Sequence, residues 1–89
     1  MQDDCFEWDD AKAEANRRKH GVTFEEAREE FDDLHYTEEP DDDPDEERWK
    51  LIGRSRRRLL VVIYTDRGSR MRIISARKAT RHDQDTYDR

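Results

Sequence analysis

The sequence predicts an α+β domain in which two helices precede an antiparallel sheet and a short helix follows it. Three observations support this class. The chain has the length of one small domain, 89 residues. Helix-capping patterns come before residue 35, and alternating or continuous apolar segments follow residue 48. No repeat or linker divides the chain, so we expect a single domain over residues 1–89, with an N-terminal strand and a sheet of three or four strands.

The first elements are a short strand and a capped helix. Residues 5–8 predict a strand, with Cys5 as a small buried residue. Asp9 or Asp10 can cap a helix that runs to His20. Gly21 then ends this helix, because glycine accepts the left-handed conformation found after helix C-termini.

A second helix begins after Thr23, which forms a T-x-x-E capping box with Glu26. Its apolar residues recur at helical spacing, and we expect it to end near Asp33. That stripe consists of Phe24, Ala27, Phe31 and Leu34.

An acidic segment separates the helices from the sheet. Residues 38–47 contain eight acids, two prolines and no base, so we expect an irregular, solvated loop. Tyr36 and its neighbours can form an edge strand just before this loop.

The strand patterns are strongest in the second half. Residues 48–54 alternate in polarity, residues 59–64 form a continuous apolar run typical of a strand buried on both faces, and residues 71–78 alternate again. In an ideal strand, Arg77 is in phase with Ile73. Thr80 is the predicted N-cap of a short terminal helix.

Charge divides the chain into two unlike halves. The net charge is −6, but residues 1–47 hold 20 acids and 5 bases whereas residues 48–89 hold 4 acids and 13 bases. No apolar run is long enough for a transmembrane helix, and no secretory signal pattern is present. A single cysteine fits a reducing compartment, so we expect a cytoplasmic protein. The acidic surplus fits either a basic segment of a partner or a salt-adapted, arginine-biased proteome.

Known motifs for metals and cofactors do not occur. No His or Cys spacing fits a zinc site, and Asp41–Asp43 lack the glycine and glutamate spacing of a calcium loop. No phosphate-binding glycine loop is present. We therefore expect neither a metal nor a cofactor.

The basic half is a candidate nucleic-acid surface. Its cations are mostly arginine, whose planar fork binds phosphate in two places and stacks on bases, and Trp49 offers an aromatic face. Simple solvation of the sheet is the alternative, and we favour it for the turn residues 56–58. His20 can act as a general base, or it can serve only as a positive helix end.

Several strings of the sequence resemble the BrnT toxin family over nearly the whole chain. In the first half these are Phe6-Glu7-Trp8-Asp9, Lys12, Asn16, Lys19-His20-Gly21-Val22, Phe24, Glu26-Ala27 and Phe31-Asp32-Asp33. In the second half they are Glu47-Arg48-Trp49, Ile52-Gly53, Leu60-Val61-Val62, Thr65, Arg72 to Thr80 and Tyr87.

The resemblance implies a toxin of a type II toxin–antitoxin pair with a RelE-like fold. Such a toxin cleaves RNA and stops translation. Its partner would be a BrnA-like antitoxin of the ribbon-helix-helix type, and operator DNA would be bound only through that antitoxin. Two alternatives remain, namely a catalytically silent antitoxin-binding co-repressor and a RelE-fold toxin with another target, such as DNA gyrase.

RNA cleavage without a metal requires a base, an acid and cations that stabilise charge on the phosphate. We predict Arg77 as the phosphate clamp, with Lys78 or Arg54 as a supporting cation and Glu47 or His20 as the proton shuttle. Residues 77 and 78 point to opposite faces of an ideal strand, so their cooperation needs a strand end or a bulge. The predicted RNA-binding residues are Arg48, Arg56, Arg72, Arg81 and Trp49.

Overall fold

A computed structural model describes all residues, 1–89, as three helices packed on one five-stranded sheet. The α+β prediction is therefore confirmed. No helix has the length and apolar character needed to cross a membrane. The elements in chain order are β1 (Phe6–Glu7), α1 (Asp10–His20), α2 (Phe24–Ala27) with a 3₁₀ segment (Arg28–Asp32), β2 (Thr37–Asp41), β3 (Arg48–Arg54), β4 (Leu59–Arg67), β5 (Arg70–Lys78) and α3 (Arg81–Tyr87).

The sheet has the strand order β1-β5-β4-β3-β2 and mixed directions. Strands β2 to β5 form an antiparallel meander, whereas β1 pairs in parallel with β5, with Phe6 opposite Met71. The sheet therefore has one strand more than the expected three or four, because the N-terminal strand β1 pairs in parallel with the edge strand β5.

Helix α1 follows the prediction at both ends. The Asp9 carboxylate accepts from the Lys12 N–H at 3.1 Å, and Gly21 has φ 69°. Cys5 is exposed, contrary to the prediction, because it precedes the two-residue strand in a turn where its N–H donates to Asp3.

Helix α2 is shorter than its pattern predicts. The Thr23 hydroxyl accepts from the Glu26 N–H at 3.0 Å, which is one half of the capping box. The Glu26 carboxylate does not return to Thr23, because it is bound to Arg58 at 2.7 Å and to Ser55 at 2.8 Å. The regular α-helix ends at Ala27 and continues as a 3₁₀ segment.

Strand β2 occupies the start of the acidic segment, which the sequence predicts to be irregular. Pro40 lies opposite Trp49 within this strand. Proline is tolerated there because β2 is an edge strand, so no strand on its outer side needs the N–H that proline lacks. The irregular part of the segment is limited to residues 42–47.

Apolar side chains fill both faces of the sheet. The larger cluster lies under α1 and α2, and the smaller one, Ile52, Leu59 and Val61, lies under Ala79 and Tyr87. Strand β4 contributes to both, which confirms the prediction of a doubly buried strand. The larger cluster consists of Trp8, Val22, Phe24, Ala27, Leu60, Val62, Ile73 and Ala76.

A bulge in β5 changes which face its side chains occupy. Ile63 pairs with Ser75 and the next residue, Tyr64, pairs with Ile73, so Ile74 is the extra residue. Ile73 consequently faces α1 and α2, whereas Arg77 faces α3. The predicted phase of Arg77 with Ile73 is therefore wrong, since the alternation rule assumes an unbroken strand.

One acidic side chain is sealed inside the fold. Glu30 is fully buried and neither carboxyl oxygen has a hydrogen-bond partner. Burial raises the pKa of Glu30 to about 9, and the neighbouring carboxylates of Glu26 and Asp33 act in the same direction. The side chain is therefore protonated at neutral pH.

Candidate nucleic-acid interface

One end of the sheet gathers exposed cations. Strand β3 ends there at Arg54, paired with Leu59, and β5 ends there at Lys78, paired with Leu60. The turn between β3 and β4 and the start of α3 add further cations. We call the following exposed residues the basic rim, and none of them is in an ion pair: Arg54, Arg56, Arg57, Lys78 and Arg81.

Nearby carboxylates bind the backbone of the rim instead of its side chains. Asp33 accepts from the Arg54 N–H and Glu29 accepts from the Arg56 N–H, each at 2.9 Å. These bonds fix the turn between β3 and β4 beside a groove of about 350 Å³. The side chains of Arg54 and Arg56 therefore stay available for an external anion.

Arg77 lies next to the rim on the α3 side of the sheet. Its Nη1 donates to Asp83 Oδ2 at 2.7 Å and to the Lys78 carbonyl at 3.1 Å. The latter contact holds the guanidinium at the end of β5. The Arg77 side chain is 38% exposed, so a ligand can reach it.

Asp83 is the buried anchor of this arrangement. Its side chain is 2% exposed and accepts from the Thr80 N–H at 2.8 Å and from the Thr80 hydroxyl at 2.9 Å. Burial opposes ionisation, but the Arg77 guanidinium and the Thr80 donors hold the pKa of Asp83 well below its usual range. Asp83 thus completes a capping box with Thr80, the predicted N-cap of α3, and also orients Arg77.

Lys50 is a cation of the site that the sequence did not indicate. Its Nζ lies 3.4 Å from Asp83 Oδ1 and 3.7 Å from Glu39 Oε1. Lys50 and Arg77 come from β3 and β5, and both reach the same carboxylate over β4. Lys50 and Arg77 both lie on the face of the sheet that α3 covers. This shared face was the only signal in the sequence, and it can be recognised only when the register of the strands is known.

His20 lies at the same end of the sheet. The Arg58 Nη2 donates to the carbonyl of Gly21 at 2.9 Å and to Glu26 at 2.7 Å. Because Arg58 belongs to the turn between β3 and β4, this bond places the C-terminus of α1 beside the basic rim. The His20 imidazole has no hydrogen bond or ion pair within the chain.

Four predicted residues lie toward the end of the sheet opposite the basic rim. Arg48 is paired with Asp43 and Glu46, and Arg72 is paired with Glu7 at 2.7 Å. Glu47 and Trp49 line a separate groove with Asp66 and Gly68, which we call the Trp49 groove.

The structure therefore divides the predicted site residues into two groups. Six of them lie at the end of the sheet that carries the basic rim, with Arg77 on the α3 side and His20 at the end of α1, and the other four, just described, do not. No group of three His, Cys, Asp or Glu side chains is arranged to hold a metal ion. The residues brought together are His20, Arg54, Arg56, Arg77, Lys78 and Arg81.

Comparison with known proteins identifies one family. The model of the family described as "Ribonuclease toxin, BrnT, of type II toxin-antitoxin system" matches residues 8–83. The matched region includes β2 to β5, both helices of the first half and the start of α3. No curated protein matches the chain.

Proposed function

The chain belongs to the BrnT family of ribonuclease toxins of type II toxin–antitoxin systems, and on that premise we propose that it is an endoribonuclease that binds RNA at the basic rim. In this proposal Arg77 contacts the scissile phosphate. Membership of the family also implies an antitoxin partner.

The observation that carries the proposal is the convergence of cations without ion pairs beside Arg77. Adjacent strands lie about 4.8 Å apart, so the backbones of Arg54 and Lys78, two strands apart, are separated by roughly 10 Å. A strand of RNA crossing this end of the sheet meets several cations in succession. Phosphate contacts of this kind supply most of the affinity for a nucleic acid, and they do so without reading its sequence.

The proposed chemistry is an in-line displacement on the RNA backbone. A base removes the proton from a ribose 2′-hydroxyl, the 2′-oxygen forms a bond to the adjacent phosphorus, and the bond to the 5′-oxygen breaks. The leaving oxygen takes a proton from water, so the products are a 2′,3′-cyclic phosphate and a 5′-hydroxyl. Arg77 stabilises the negative charge that develops on the phosphate oxygens.

We assign the proton transfer to His20 rather than to Glu47. His20 ends α1 beside the rim, whereas Glu47 lies in the Trp49 groove at the other end of the sheet. Imidazole is suited to this task because it can accept and release a proton near neutral pH. Lys78 and Arg54 then act as supporting cations.

The finer features of the proposal follow from the family resemblance. They are a RelE-like fold, cleavage that needs no metal ion, inhibition of translation in the cytoplasm and a BrnA-like ribbon-helix-helix antitoxin. Operator DNA is bound through that antitoxin.

The test is cleavage of end-labelled RNA by the purified chain in the presence of EDTA. We expect products that end in a 2′,3′-cyclic phosphate. The His20→Ala variant should cleave at least ~100-fold more slowly, as expected for loss of a general base. Lys19→Ala, next to His20 on α1, is the matched control and should retain cleavage.

Two results contradict the proposal. Intact RNA with a folded chain at every concentration tested indicates a silent antitoxin-binding module. Full activity of the His20→Ala variant would show that His20 does not transfer the proton. Full activity of Glu47→Gln together with loss of activity in His20→Ala would instead support the proposal, because it excludes Glu47 as the proton shuttle.

A further inference from the structure

The Trp49 groove lies at the end of the sheet opposite the basic rim, where β3 begins and β4 meets β5. Its volume is about 450 Å³, and it is lined by Glu47, Trp49, Asp66 and Gly68. Trp49 is half-buried in this wall, so one part of its indole faces the groove. A half-buried aromatic surface in a groove provides a flat apolar contact for an incoming group.

Both carboxylates of the groove lack a cation within the chain. Glu47 and Asp66 are exposed and are in no ion pair. Asp66 Oδ1 accepts from the Gly68 N–H at 2.9 Å, which fixes the position of the carboxylate at the turn between β4 and β5. An aromatic wall flanked by two uncompensated carboxylates is complementary to a flat or long side chain that carries a positive charge.

The surroundings strengthen the negative potential at this end. Asp41, Asp42 and Asp45 are also in no ion pair, whereas Asp43 and Glu46 are bound to Arg48. A polyanion approaching the groove therefore meets repulsion, and a basic segment meets attraction. The basic rim at the opposite end has the reverse character.

We propose that the Trp49 groove is the docking site for an arginine or lysine side chain of a basic segment of the antitoxin. The side chain lies along the indole, and its charged head pairs with Glu47 and Asp66. This inference rests on the antitoxin partnership but not on ribonuclease activity, and the groove is separate from the surface proposed to bind RNA. A guanine base, which also pairs with carboxylates and stacks on indole, is the competing occupant, and the local charge disfavours it.

The test uses the isotope-labelled full-length chain and the indole N–H signals of its two tryptophans. Trp8 is 4% exposed and serves as an internal reference. The probes are acetyl-Gly-Arg-Gly-amide, the same peptide with the uncharged isostere citrulline, and GMP. We expect the arginine peptide to shift the Trp49 signal saturably and the citrulline peptide to bind at least ~10-fold more weakly, because it lacks the charge.

A pair of variants isolates the groove from general acidity. The double variant Glu47→Gln/Asp66→Asn should weaken binding of the arginine peptide by ~10-fold or more. The control Asp42→Asn/Asp45→Asn changes the net charge equally outside the groove and should alter binding by less than ~3-fold, as expected for screened surface charges.

Three results would overturn the proposal. They are equal binding of the arginine and citrulline peptides, a Trp49 shift with GMP in place of the arginine peptide, and equal losses in the two double variants. Because the measurement involves no RNA cleavage, a chain that fails to cleave RNA but binds the arginine peptide through this groove refutes only the proposed ribonuclease activity.

Discussion

The guanidinium of Arg77 donates to the buried carboxylate of Asp83 at 2.7 Å, and this pair joins the last strand to the last helix. Lys50 reaches the other oxygen of Asp83 from β3 at 3.4 Å. Two strands and the terminal helix therefore share one anion. The pair fixes α3 on the sheet and, at the same time, holds Arg77 in one orientation beside the basic rim.

Removal of Arg77 should impair both RNA cleavage and the stability of the fold. We expect Arg77→Ala to slow RNA cleavage ~100-fold or more, as for loss of a positioned transition-state donor. The variant should also lower the free energy of unfolding by about 1–3 kcal/mol, because Asp83 loses a charged partner while buried. Gel assays and urea titrations measure the two effects.

A double variant distinguishes these effects. Arg77→Ala/Asp83→Asn removes both members of the pair, so it should recover part of the lost stability but none of the lost cleavage. Restored cleavage in the double variant would show that Arg77 acts only through the fold.

The basic rim should dominate the salt dependence of RNA binding. The triple variant Arg54→Gln/Arg56→Gln/Lys78→Gln removes three phosphate contacts, which should reduce the slope of log K against log salt by about 2. Fluorescence anisotropy with a 2′-O-methylated RNA measures binding without cleavage. The control Lys12→Gln/Arg17→Gln/Arg18→Gln on α1 loses the same charge and should leave the slope nearly unchanged, and a similar decrease in both variants would contradict a localised site.

Burial of Glu30 should make stability fall as the pH rises from mildly acidic to alkaline values. The folded pKa is about 9, above the ordinary value of 4.5, so the folded chain binds more protons between these values. The free energy of unfolding should therefore fall as pH rises from about 5 to 9, by at most ~1.4 kcal/mol per pH unit. Denaturant titrations across this range measure the slope.

The Glu30→Gln variant is the control for this dependence. Glutamine fills a similar space and cannot ionise, so the decline in stability over this pH range should largely disappear. An unchanged slope in the variant would assign the dependence to other groups.

Gly53 should not tolerate a side chain. A Cβ at this position would lie 3.3 Å from Leu51 Cδ2, 3.3 Å from Tyr36 Cβ and 3.4 Å from Glu30 Cβ. We expect Gly53→Ala to lower the free energy of unfolding by ~1–3 kcal/mol through overpacking. Ser69→Ala, in the exposed turn before β5, should change it by less than ~0.5 kcal/mol, and equal thermal midpoints for the two variants would contradict the expected crowding.

Features set by neighbouring residues were predictable from the sequence. The caps of α1 and α3 depend on Asp9, Gly21 and Thr80, whose partners lie within four residues, and the structure confirms them. The incomplete capping box of α2 was not predictable, because Arg58, 32 positions away, binds the Glu26 carboxylate. An edge strand near Tyr36 was predicted, but the extension of β2 to Asp41 was not, because edge pairing with β3 outweighs the low strand propensity of acids and proline.

The same distinction applies to the candidate site. Arg77, Lys78 and Arg54 were recognisable as candidates, but their meeting at one end of the sheet depends on the register of three strands. Lys50 was missed because its link to Asp83 spans 33 positions and requires α3 to lie across β3 and β5. Sequence patterns identify the kinds of residue in such a site, whereas strand pairing decides which of them are neighbours.

The extra residue in β5 affects which face of the sheet the side chains after it occupy. Because Ile74 is unpaired, every side chain after it projects to the face opposite from the one that strict alternation would assign. Deleting Ile74 would remove the bulge and leave both faces as they are, because Ser75 would then follow Ile73 in regular alternation, with Ala76 toward α1 and α2 and Arg77 toward α3. Pairing Ile74 as a regular strand residue would instead shift the register of the residues after it by one and exchange Ala76 and Arg77 between the two faces, which no substitution at Arg77 itself can reproduce.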